Sequence, residues 1–489
     1  MVAAEGWDYI VAGGGLAGCV VASRLKQYQN SARILLIEAG PDVNGNSDIL
    51  HFNSLNFIGG KFDWGYKSVP QKIFDGRRID IPSGRALGGG STEKWYSGLA
   101  PESHGNDGKL QIESPISMNR IYPLADITAQ AWEEFGVHKL PGSDFNAGVN
   151  IGFGELNENR TQGARQIASL AYPLDGITVL TDTMVGSIIV DKDNKTTGVC
   201  LADGTKIHSD QVIVSAGAYR TPQLLMLSGL GPRGTLEKYS IKVKVDIPEI
   251  GQNLNDHIMV YLNWKLKDPS KGYALGSSNT IFAEPRFATG APLSYVASTR
   301  MPHADLEAAI AKDERQDRSE PLSSEERGTH ISTAQMGLKP TSRGTVTLSS
   351  NNPADSPIID PNYFATEVDK AVWRYSLRKI TSFMTGNTTL GRDVIECETP
   401  VPGFEPLTAY ASDEYLDSRV KAHGMSTFHG CGTCAMGTVV DIDLRVMDVQ
   451  NLHVVDASVL PISIGAHIQA AVYALAKQAA VIISQGKTA

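Results

Sequence analysis

The chain has 489 residues, of which 42% are hydrophobic and 20% charged, and a net charge of −9 at pH 7. This composition is typical of a soluble globular protein with enough chain for two to three domains. The acidic balance argues against a nucleic-acid-binding protein, and no apolar run approaches the roughly 18 residues that cross a bilayer.

The N-terminus and the cysteines both favour a reducing compartment. The chain enters a strand-like run almost at once, without the basic and apolar regions of a secretory signal, although a trimmed mature protein would look the same. Five cysteines are few and odd in number, which argues against a disulfide framework. We therefore expect a cytoplasmic protein, with secretion of a trimmed form left open.

The first forty residues have the pattern of a dinucleotide-binding βαβ unit. An apolar run at residues 9–12, typical of a buried parallel strand, leads into GGGLAG (13–18) and then into apolar residues at helical spacing. In this G-x-G-x-x-G order, Gly13 permits the tight turn, Gly15 lets the backbone approach a pyrophosphate, and Gly18 lets helix and strand pack closely. The N-terminus of the helix would then face the phosphates.

A second strand-like run, RILLIEAG (33–40), follows and contains Glu38 at its end. This carboxylate lies 20 residues after Gly18, where the ribose-binding acid of such units belongs. It favours a free ribose 2′-hydroxyl, and therefore FAD or NAD over NADP. A structural βαβ unit without a ligand is the alternative, and the correct order of every part argues against it.

Two later stretches repeat the plan of a strand followed by a turn. Residues 212–231 predict a buried strand, a turn of small residues and a helix that begins at Thr221-Pro222, because Thr suits an N-cap and Pro the first helical position. The small Ala216 in the turn would let the backbone lie close to a flat ligand. Residues 452–461 predict a strand that ends at Asp456, and residues 341–350 predict another strand.

Several stretches, taken together, resemble the glucose-methanol-choline (GMC) family of FAD-dependent oxidoreductases, and the resemblance spans residues 7 to about 484. They are DWGYKSVPQ (63–71), SGRALGGGST (83–92), GAYRTPQLLMLSGLG (217–231), EIGQNLNDH (249–257), TSRGTVTLSS (341–350), HGCGTCAMG (429–437) and VVDASVLPISIGAHIQAAVYALA (454–476).

The resemblance implies an α/β fold with two domains. A discontinuous, Rossmann-like FAD-binding domain would take residues 1–110, 165–232 and 425–489. A second, α+β substrate-binding domain, built on an antiparallel sheet, would take residues 111–164 and 233–424. Beside the glycines and Glu38, the resemblance implies FAD contacts at Leu16, Ala17, Ala39, Arg85, Leu87, Gly89, Gly90, Ser91, Val185, Ala216, Asp456, Ala457, His467 and Ile468, with Asp456 and Ala457 near the phosphate and ribityl region.

The stretch FHGCGTCAMG (428–437) admits three interpretations: a metal site, a redox disulfide, or a histidine that acts beside a large ligand. The spacing of its His and Cys residues is not a common zinc pattern, and the C-x-x-C pair lacks a thioredoxin-like context. We therefore expect no metal, and expect Cys431 and Cys434 to be small core residues.

The resemblance places His429 against the flavin and gives it a partner at His467, six residues after Pro461. Alcohol oxidation removes a hydroxyl proton as well as a hydride, and histidine titrates near neutral pH, so it suits the proton. We expect His429 to be the general base and His467 its partner, and the exchange of these roles stays open.

The chain departs from the family in the segment after the second glycine-rich stretch. Lys94 stands where members usually carry Asn, and Glu93 stands where some carry a histidine bonded to FAD. The resemblance therefore implies non-covalent FAD. The segment after Gly98 is short, which favours an open active site for a bulky substrate or one closed by another subunit; deletion of a distal loop is the alternative.

These observations favour FAD-dependent oxidation of a primary or secondary alcohol, uncharged and apolar to moderately polar, to an aldehyde or ketone by hydride transfer to flavin N5. Oxygen or another electron acceptor would reoxidise the flavin, no nucleic acid or membrane partner is expected, and a homodimer is left open. Two alternatives remain: a non-redox lyase or isomerase on the same FAD scaffold, and a flavin-binding protein without catalysis.

Overall fold

The structure is a computed structural model that describes residues 6–51, 57–89, 108–110, 112–145, 148, 151–155, 157–161, 163–288, 293–312 and 328–486. Gly90, Ser91, Glu93, Lys94 and the segment after Gly98 lie outside these residues.

The strands follow one another along the described chain. They are β1 (Trp7–Ala12), β2 (Ile34–Ile37), β3 (Tyr66–Lys67), β4 (Asp80–Ile81), β5 (Lys139–Asp144), β6 (Gly152–Glu155), β7 (Arg160–Thr161), β8 (Ala164–Arg165), β9 (Thr178–Leu180), β10 (Val185–Val190), β11 (Thr196–Leu201), β12 (Lys206–Val214), β13 (Leu230–Gly231), β14 (Val245–Asp246), β15 (Ile258–Leu266), β16 (Tyr295–Ser298), β17 (His330–Met336), β18 (Thr345–Thr347), β19 (Ile358–Asp360), β20 (Ile395–Thr399), β21 (Met425–Ser426) and β22 (Leu452–Val454).

The α-helices of the described chain vary from one turn to five. They are α1 (Leu16–Tyr28), α2 (Ser47–His51), α3 (Ala125–Glu134), α4 (Ala168–Ala171), α5 (Gly217–Leu227), α6 (Arg233–Lys238), α7 (His303–Ile310), α8 (Glu367–Thr385), α9 (Thr389–Asp393), α10 (Asp413–His423) and α11 (Gln469–Gln485).

The first sheet is assembled from the start, the middle and the end of the chain. β1 pairs in parallel with β2 and β12, β2 with β9, and β12 with β22. β10 and β11 extend the sheet with antiparallel pairs. β1 and β2 are almost wholly buried, as expected for parallel strands covered on both faces, and α1 packs against α11. The predicted discontinuous, Rossmann-like layer is confirmed.

The second sheet is antiparallel and has β15 as its central strand. β17 and β20 flank β15, and β21 pairs with its first two residues. Trp264 on β15 is fully buried and packs in one cluster with Trp373 and Phe383 of α8. Burial of each such ring contributes about 1.5–3 kcal/mol. The antiparallel pairs of β15 confirm the predicted antiparallel sheet of the second layer.

The pairing of β21 with β15 determines where the predicted site residue His429 lies. Ser426 stands opposite Ile258, and Met425 opposite Met259. Because antiparallel partners run in opposite directions, the residues that follow β21 lie beside those that precede β15. The sequence stretches 249–257 and 427–437 therefore meet at one end of the second sheet.

The start of α5 differs from the sequence prediction. The helix begins at Gly217, and Pro222 lies inside it rather than at its first position. Pro222 has no N–H for the carbonyl of Ala218, and the hydroxyl of Thr433 donates to that oxygen instead, at 2.6 Å. The prediction was wrong because a distant residue supplies the missing hydrogen bond.

The two other strands predicted from the later stretches of the sequence differ in how closely they match. β22 ends at Val454, two residues before the predicted end at Asp456. β18 lies within the stretch predicted as strand, although it is only three residues long.

None of the helices in the described ranges is both long and apolar enough to cross a membrane.

We expect the second layer to be sensitive to the loss of either partner of the buried ion pair of Glu398 and Arg419, which joins β20 to α10. The exposed fractions of the two side chains are 1% and 2%, and Glu398 also accepts from the Leu407 N–H at 2.9 Å. Glu398→Ala leaves a buried guanidinium without its carboxylate and should lower the free energy of unfolding by about 3–5 kcal/mol. Urea unfolding followed by circular dichroism measures this loss.

The matched control is Asp393→Ala, which removes a carboxylate from an ion pair that is half exposed on both sides. Such a pair contributes at most about 1 kcal/mol. Equal losses in the two variants would contradict the expected cost of leaving the buried Arg419 guanidinium without its carboxylate.

Candidate active site

The turn between β1 and α1 forms a glycine-lined cradle. A Cβ on Gly13, whose φ is +110°, would lie 2.3 Å from the Ser215 carbonyl oxygen, and one on Gly18 would lie 1.9 Å from that of Gly13. Packing against the sheet thus requires glycine at both positions. A Cβ on Gly15 would meet nothing within 4 Å, so the space beside it is open.

The helix behind the cradle begins without a side-chain cap. The N-cap of α1 is Gly15, which has no side chain that could accept from the first N–H groups of the helix. No acidic residue occupies the first turn. The N–H groups at the start of a helix carry a partial positive charge and bind anions. The open space beside Gly15 therefore suits a phosphate.

Glu38 lies at the edge of the cradle, directly after β2. Its two carboxylate oxygens accept hydrogen bonds from the N–H groups of Gly14 and Gly40, both at 2.8 Å. Burial raises the pKa of Glu38, and these two N–H groups oppose the rise. Each oxygen keeps a further acceptor site, so the fixed carboxylate can also accept from a ribose hydroxyl.

One cavity of about 2610 Å³ connects the cradle with the predicted catalytic histidines. The predicted site residues that line it are Gly13, Gly15, Leu16, Ala17, Glu38, Ala39, Gly89, Val185, Ala216, His429, Asp456, Ala457, His467 and Ile468.

Three predicted cofactor residues in the described chain are not part of the cavity lining. Gly18 packs against Gly13, as above. Arg85 donates to the Ala39 carbonyl at 3.2 Å and lies over the ring of Trp64. Leu87 is buried, with a methyl group beside Gly14. These contacts support the residues that do line the cavity.

The Asp456 carboxylate joins the last part of the nucleotide-binding layer to α5. One of its oxygens accepts from the Gly217 N–H at 2.9 Å and from the Thr221 hydroxyl at 2.6 Å, and the other accepts from the Ser458 N–H at 2.8 Å. Burial raises the pKa of this carboxylate, and the three donors oppose the rise. The side chain thus takes the N-capping role that the sequence predicted for Thr221.

The segment that carries His429 bulges out of the antiparallel pairing. On one side of the bulge, the Thr427 N–H donates to the His257 carbonyl at 3.1 Å; on the other, Asn255 and Cys431 exchange two hydrogen bonds of 2.8 Å. Three residues, 428–430, therefore stand opposite one, Asp256. Phe428 has a φ of +66°, an unfavourable conformation for a bulky residue that persists only where the surroundings hold it.

Asp256 holds the bulge in place. One of its oxygens accepts from the His429 N–H at 2.9 Å, and the other accepts from the hydroxyls of Ser426 and Tyr363. The carboxyl group is buried, which raises its pKa to about 6, although these donors oppose the rise. The backbone of His429 is thus fixed by a side chain from the other strand.

His429 and His467 lie in direct contact at the cavity wall. Nε2 of His429 is 3.0 Å from Nδ1 of His467, and the two rings are perpendicular. Burial, followed by the neighbouring histidines His467 and His257, lowers the pKa of His429 to about 2, and burial lowers that of His467. Both imidazoles are therefore neutral at neutral pH, and His467 is the more exposed of the two.

A third histidine, which the sequence analysis did not single out, completes the cluster. Nδ1 of the buried His257 is 2.9 Å from Nδ1 of His429, and the Thr427 hydroxyl oxygen lies 3.1 Å from the same atom. In the sequence, His257 is only the last residue of EIGQNLNDH (249–257), one of the stretches that carry the family resemblance. Its local pattern carries no sign of a contact with residues about 170 positions later.

Cys431 and Cys434 are fully buried free thiols, as expected of small core residues. Burial raises the pKa of Cys431 to about 12 and that of Cys434 well above its usual value. Within the described ranges, no group of three or more His, Cys, Asp or Glu side chains is placed to hold a metal ion.

Comparison with known proteins identifies the family. Residues 100–259 and 340–476 match the N- and C-terminal models described as GMC oxidoreductase, and residues 11–68 match an NAD(P)-binding Rossmann-like domain. The chain is also 37% identical to the GMC-type oxidoreductase acuG of Aspergillus aculeatus, over 97% of this chain and 98% of that one. The chain belongs to the GMC oxidoreductase family.

More distant members have named activities. This GMC oxidoreductase is 29% identical to the mitochondrial choline dehydrogenase of Mus musculus, over 99% of this chain and 90% of the relative. The crystal structure of pyridoxine 4-oxidase from Mesorbium loti is similar with a TM-score of 0.80 at 26% identity, over 97% and 98% of the two chains.

The cofactor of this GMC oxidoreductase is FAD, and the cradle fits it. The open space at Gly15 and the uncapped start of α1 suit the pyrophosphate, and the fixed carboxylate of Glu38 suits the ribose hydroxyls. The same cavity reaches His429 and His467, so a flavin bound there can extend toward the two imidazoles.

We expect Gly15→Ala to weaken FAD binding without loss of stability in the FAD-free protein. The φ of Gly15 is −72°, which alanine adopts easily, and the added methyl group enters only the space that the pyrophosphate needs. A loss of affinity of at least about tenfold, or roughly 1.4 kcal/mol, is expected. Titration of FAD-stripped protein followed by flavin fluorescence measures it.

The matched variant is Gly18→Ala, whose methyl group would collide with the Gly13 carbonyl rather than enter the cavity. It should lower stability by about 1–3 kcal/mol, seen as a lower Tm even without FAD. If Gly15→Ala bound FAD as tightly as the native chain, the phosphate would not lie beside Gly15.

Proposed function

We propose that this GMC oxidoreductase oxidises the CH–OH group of an uncharged, largely apolar alcohol to an aldehyde or ketone, with His429 and His467 handling the hydroxyl proton. The main support for this proposal is the 3.0 Å contact between the two imidazoles, which lies in the same cavity as the FAD cradle. FAD, when bound, supplies the hydride acceptor. The two histidines are left with the proton of the alcohol.

The charge state of the histidines supports this role. Burial lowers the pKa of both imidazoles, so each has a lone pair at neutral pH. A neutral imidazole can accept the hydroxyl proton, and the imidazolium that results stabilises negative charge on the substrate oxygen. A lone pair within reach of the substrate is the requirement for a general base.

The cavity wall supports an apolar substrate of considerable size. The second layer contributes aromatic and thioether side chains to it, among them Tyr261, Tyr295, Met259, Met301 and Met336. Pockets with such walls bind ligands mainly through apolar contact, and a few polar groups orient them. The histidine pair would be the orienting group for the hydroxyl.

The relatives support oxidation rather than a non-redox reaction on the same scaffold. The names of the mouse and Mesorbium loti proteins describe a dehydrogenase and an oxidase, and another relative is named an oxygen-dependent choline dehydrogenase. We accordingly propose oxygen or another electron acceptor as the final oxidant.

We also propose the domain division 1–110, 165–232 and 425–489 for FAD binding, and 111–164 and 233–424 for the substrate. Its support is that β1, β2, β9–β12 and β22 share one sheet. β15, β17 and β20 form the core of another sheet, from which the cavity receives its apolar wall.

Anaerobic mixing of the FAD-loaded enzyme with a panel of primary and secondary alcohols tests the function. We expect the absorbance of oxidised flavin to bleach with an apolar alcohol and the corresponding carbonyl compound to form. His429→Ala should slow bleaching by roughly 10²–10⁴-fold while FAD stays bound, because it removes one of the two imidazoles that handle the hydroxyl proton.

His138→Ala is the matched control, since His138 is an exposed histidine whose side chain is bonded to Glu133 and does not line the cavity. It should bleach at the native rate. Product that forms while the flavin stays oxidised would indicate a non-redox enzyme, and unchanged bleaching in His429→Ala would remove the histidine from the mechanism.

A further inference from the structure

The edge strand β17 and the helix α8 bound one part of the cavity, which we call the α8 lobe. Gln335 on β17 stands opposite the fully buried Val260 of β15, which packs in one cluster with Trp373 of α8. Side chains alternate between the two faces of a strand. Gln335 therefore lies on the face of β17 that is turned toward α8.

The helix forms the opposite wall of the α8 lobe. Trp373, Ile380 and Phe383 recur at helical spacing along one face of α8, and all three line the cavity. A Cβ on Gly337, two residues after Gln335, would lie 3.0 Å from Nε1 of Trp373. The helix thus packs directly against the end of β17, and the α8 lobe lies beside this contact.

Within the described chain, the amide oxygen of Gln335 has no hydrogen-bond partner, unlike nearby hydroxyls of β17. Gln335 is 8% exposed and lines the cavity, and its Oε1 is buried and unpaired. By contrast, the Thr333 hydroxyl accepts from Nε1 of Trp264 at 2.9 Å, and the Ser332 hydroxyl donates to Asn263 at 2.7 Å. Buried polar groups are normally satisfied, so an unpaired amide at a cavity wall indicates a ligand.

The chemistry of the amide determines which ligand group it can bind. A carboxamide offers an acceptor at its oxygen and two donors at its nitrogen. A hydroxyl both donates and accepts, so it pairs with whichever end of the Gln335 amide is turned toward it. The walls of the α8 lobe are largely aromatic and aliphatic, which suits the apolar part of a ligand that carries such a hydroxyl.

The strand pairing sets the separation between the α8 lobe and the histidines. The Gly337 N–H donates to the carbonyl of Ile258 at 3.1 Å, and Ile258 follows His257, whose ring contacts that of His429. Gln335 lies two residues farther from the histidines along β17, or about 7 Å at the rise of an antiparallel strand. A ligand that reaches from the histidine pair into the α8 lobe is therefore several bonds long.

We propose that Gln335 is a specificity-determining residue that binds a second hydroxyl at the far end of the substrate. The substrate class is then an uncharged diol whose two hydroxyls are separated by an apolar body. One hydroxyl is oxidised beside the histidine pair, and the other is held in the α8 lobe. The inference rests on the proposed alcohol oxidation and adds to it the feature by which one alcohol is chosen over another.

Binding of primary alkanols and of α,ω-diols with the same carbon chains, to enzyme whose FAD has been photoreduced, tests the proposal. Reduced FAD accepts no hydride, so calorimetry measures affinity without turnover. We expect the diol of the best length to bind at least about tenfold more tightly than its alkanol, because the alkanol leaves the Gln335 amide unpaired. A vicinal diol should lack this advantage. Equal affinities, or no measurable binding of any α,ω-diol, would overturn the proposal.

A variant of Gln335 tests the residue itself. Gln335→Met removes the amide at nearly constant volume and should abolish the advantage of the diol, with alkanol binding, FAD content and Tm unchanged. The matched control is Gln211→Met, because Gln211 also has a buried Oε1 without a partner in the described chain but is not part of the cavity lining. It should keep the native preference. A native preference in Gln335→Met would remove Gln335 from substrate recognition.

The calorimetric result and the alcohol panel fail independently. Preference for the diol without bleaching of the flavin would support the role of Gln335 and refute the proposed oxidation. Bleaching with alkanols and diols alike, without a difference in affinity, would support the oxidation and refute the role of Gln335.

Discussion

The antiparallel pairing of β21 with the first residues of β15 is the constraint on which the candidate active site depends. It brings Asn255, Asp256 and His257 beside residues 425–431. The three-against-one bulge in this pairing then turns His429 toward the cavity. Bulges of this kind redirect side chains at functional sites, and here the bulge carries a backbone conformation that Phe428 would avoid elsewhere. The Asp256 carboxylate, with three donors, holds it there.

A second set of contacts connects the same segment with the nucleotide-binding layer. Gly432 and Cys434 donate to the carbonyls of Ala457 and Ser458, and the Thr433 hydroxyl reaches the start of α5. Gly430 has no room for a side chain, because a Cβ would lie 2.2 Å from the Tyr219 hydroxyl oxygen. The small residues of this stretch thus reflect close packing between two layers.

How much the sequence predicted depends on the range of the interactions involved. The strand, glycine turn, helix and acid of the first forty residues are local in sequence, and they follow in the predicted order. The start of α5 was predicted wrongly because Asp456 and Thr433, both more than 200 positions away, replace the local cap and the hydrogen bond that proline removes. The third imidazole, His257, was missed for the same reason, since only the register of two strands places it beside His429.

The contact between Thr433 and the carbonyl of Ala218 has a consequence for any dissection of the molecule. Residues 425–437 form hydrogen bonds with the second layer through Asn255 and His257, and with the nucleotide-binding layer through Ala218, Ala457 and Ser458. Residues 425–437 are therefore held by contacts with both layers. If the two layers were expressed as separate fragments, the buried backbone groups of this segment would be exposed to water. The fragments could restore the conformation of residues 425–437 only by reassociating.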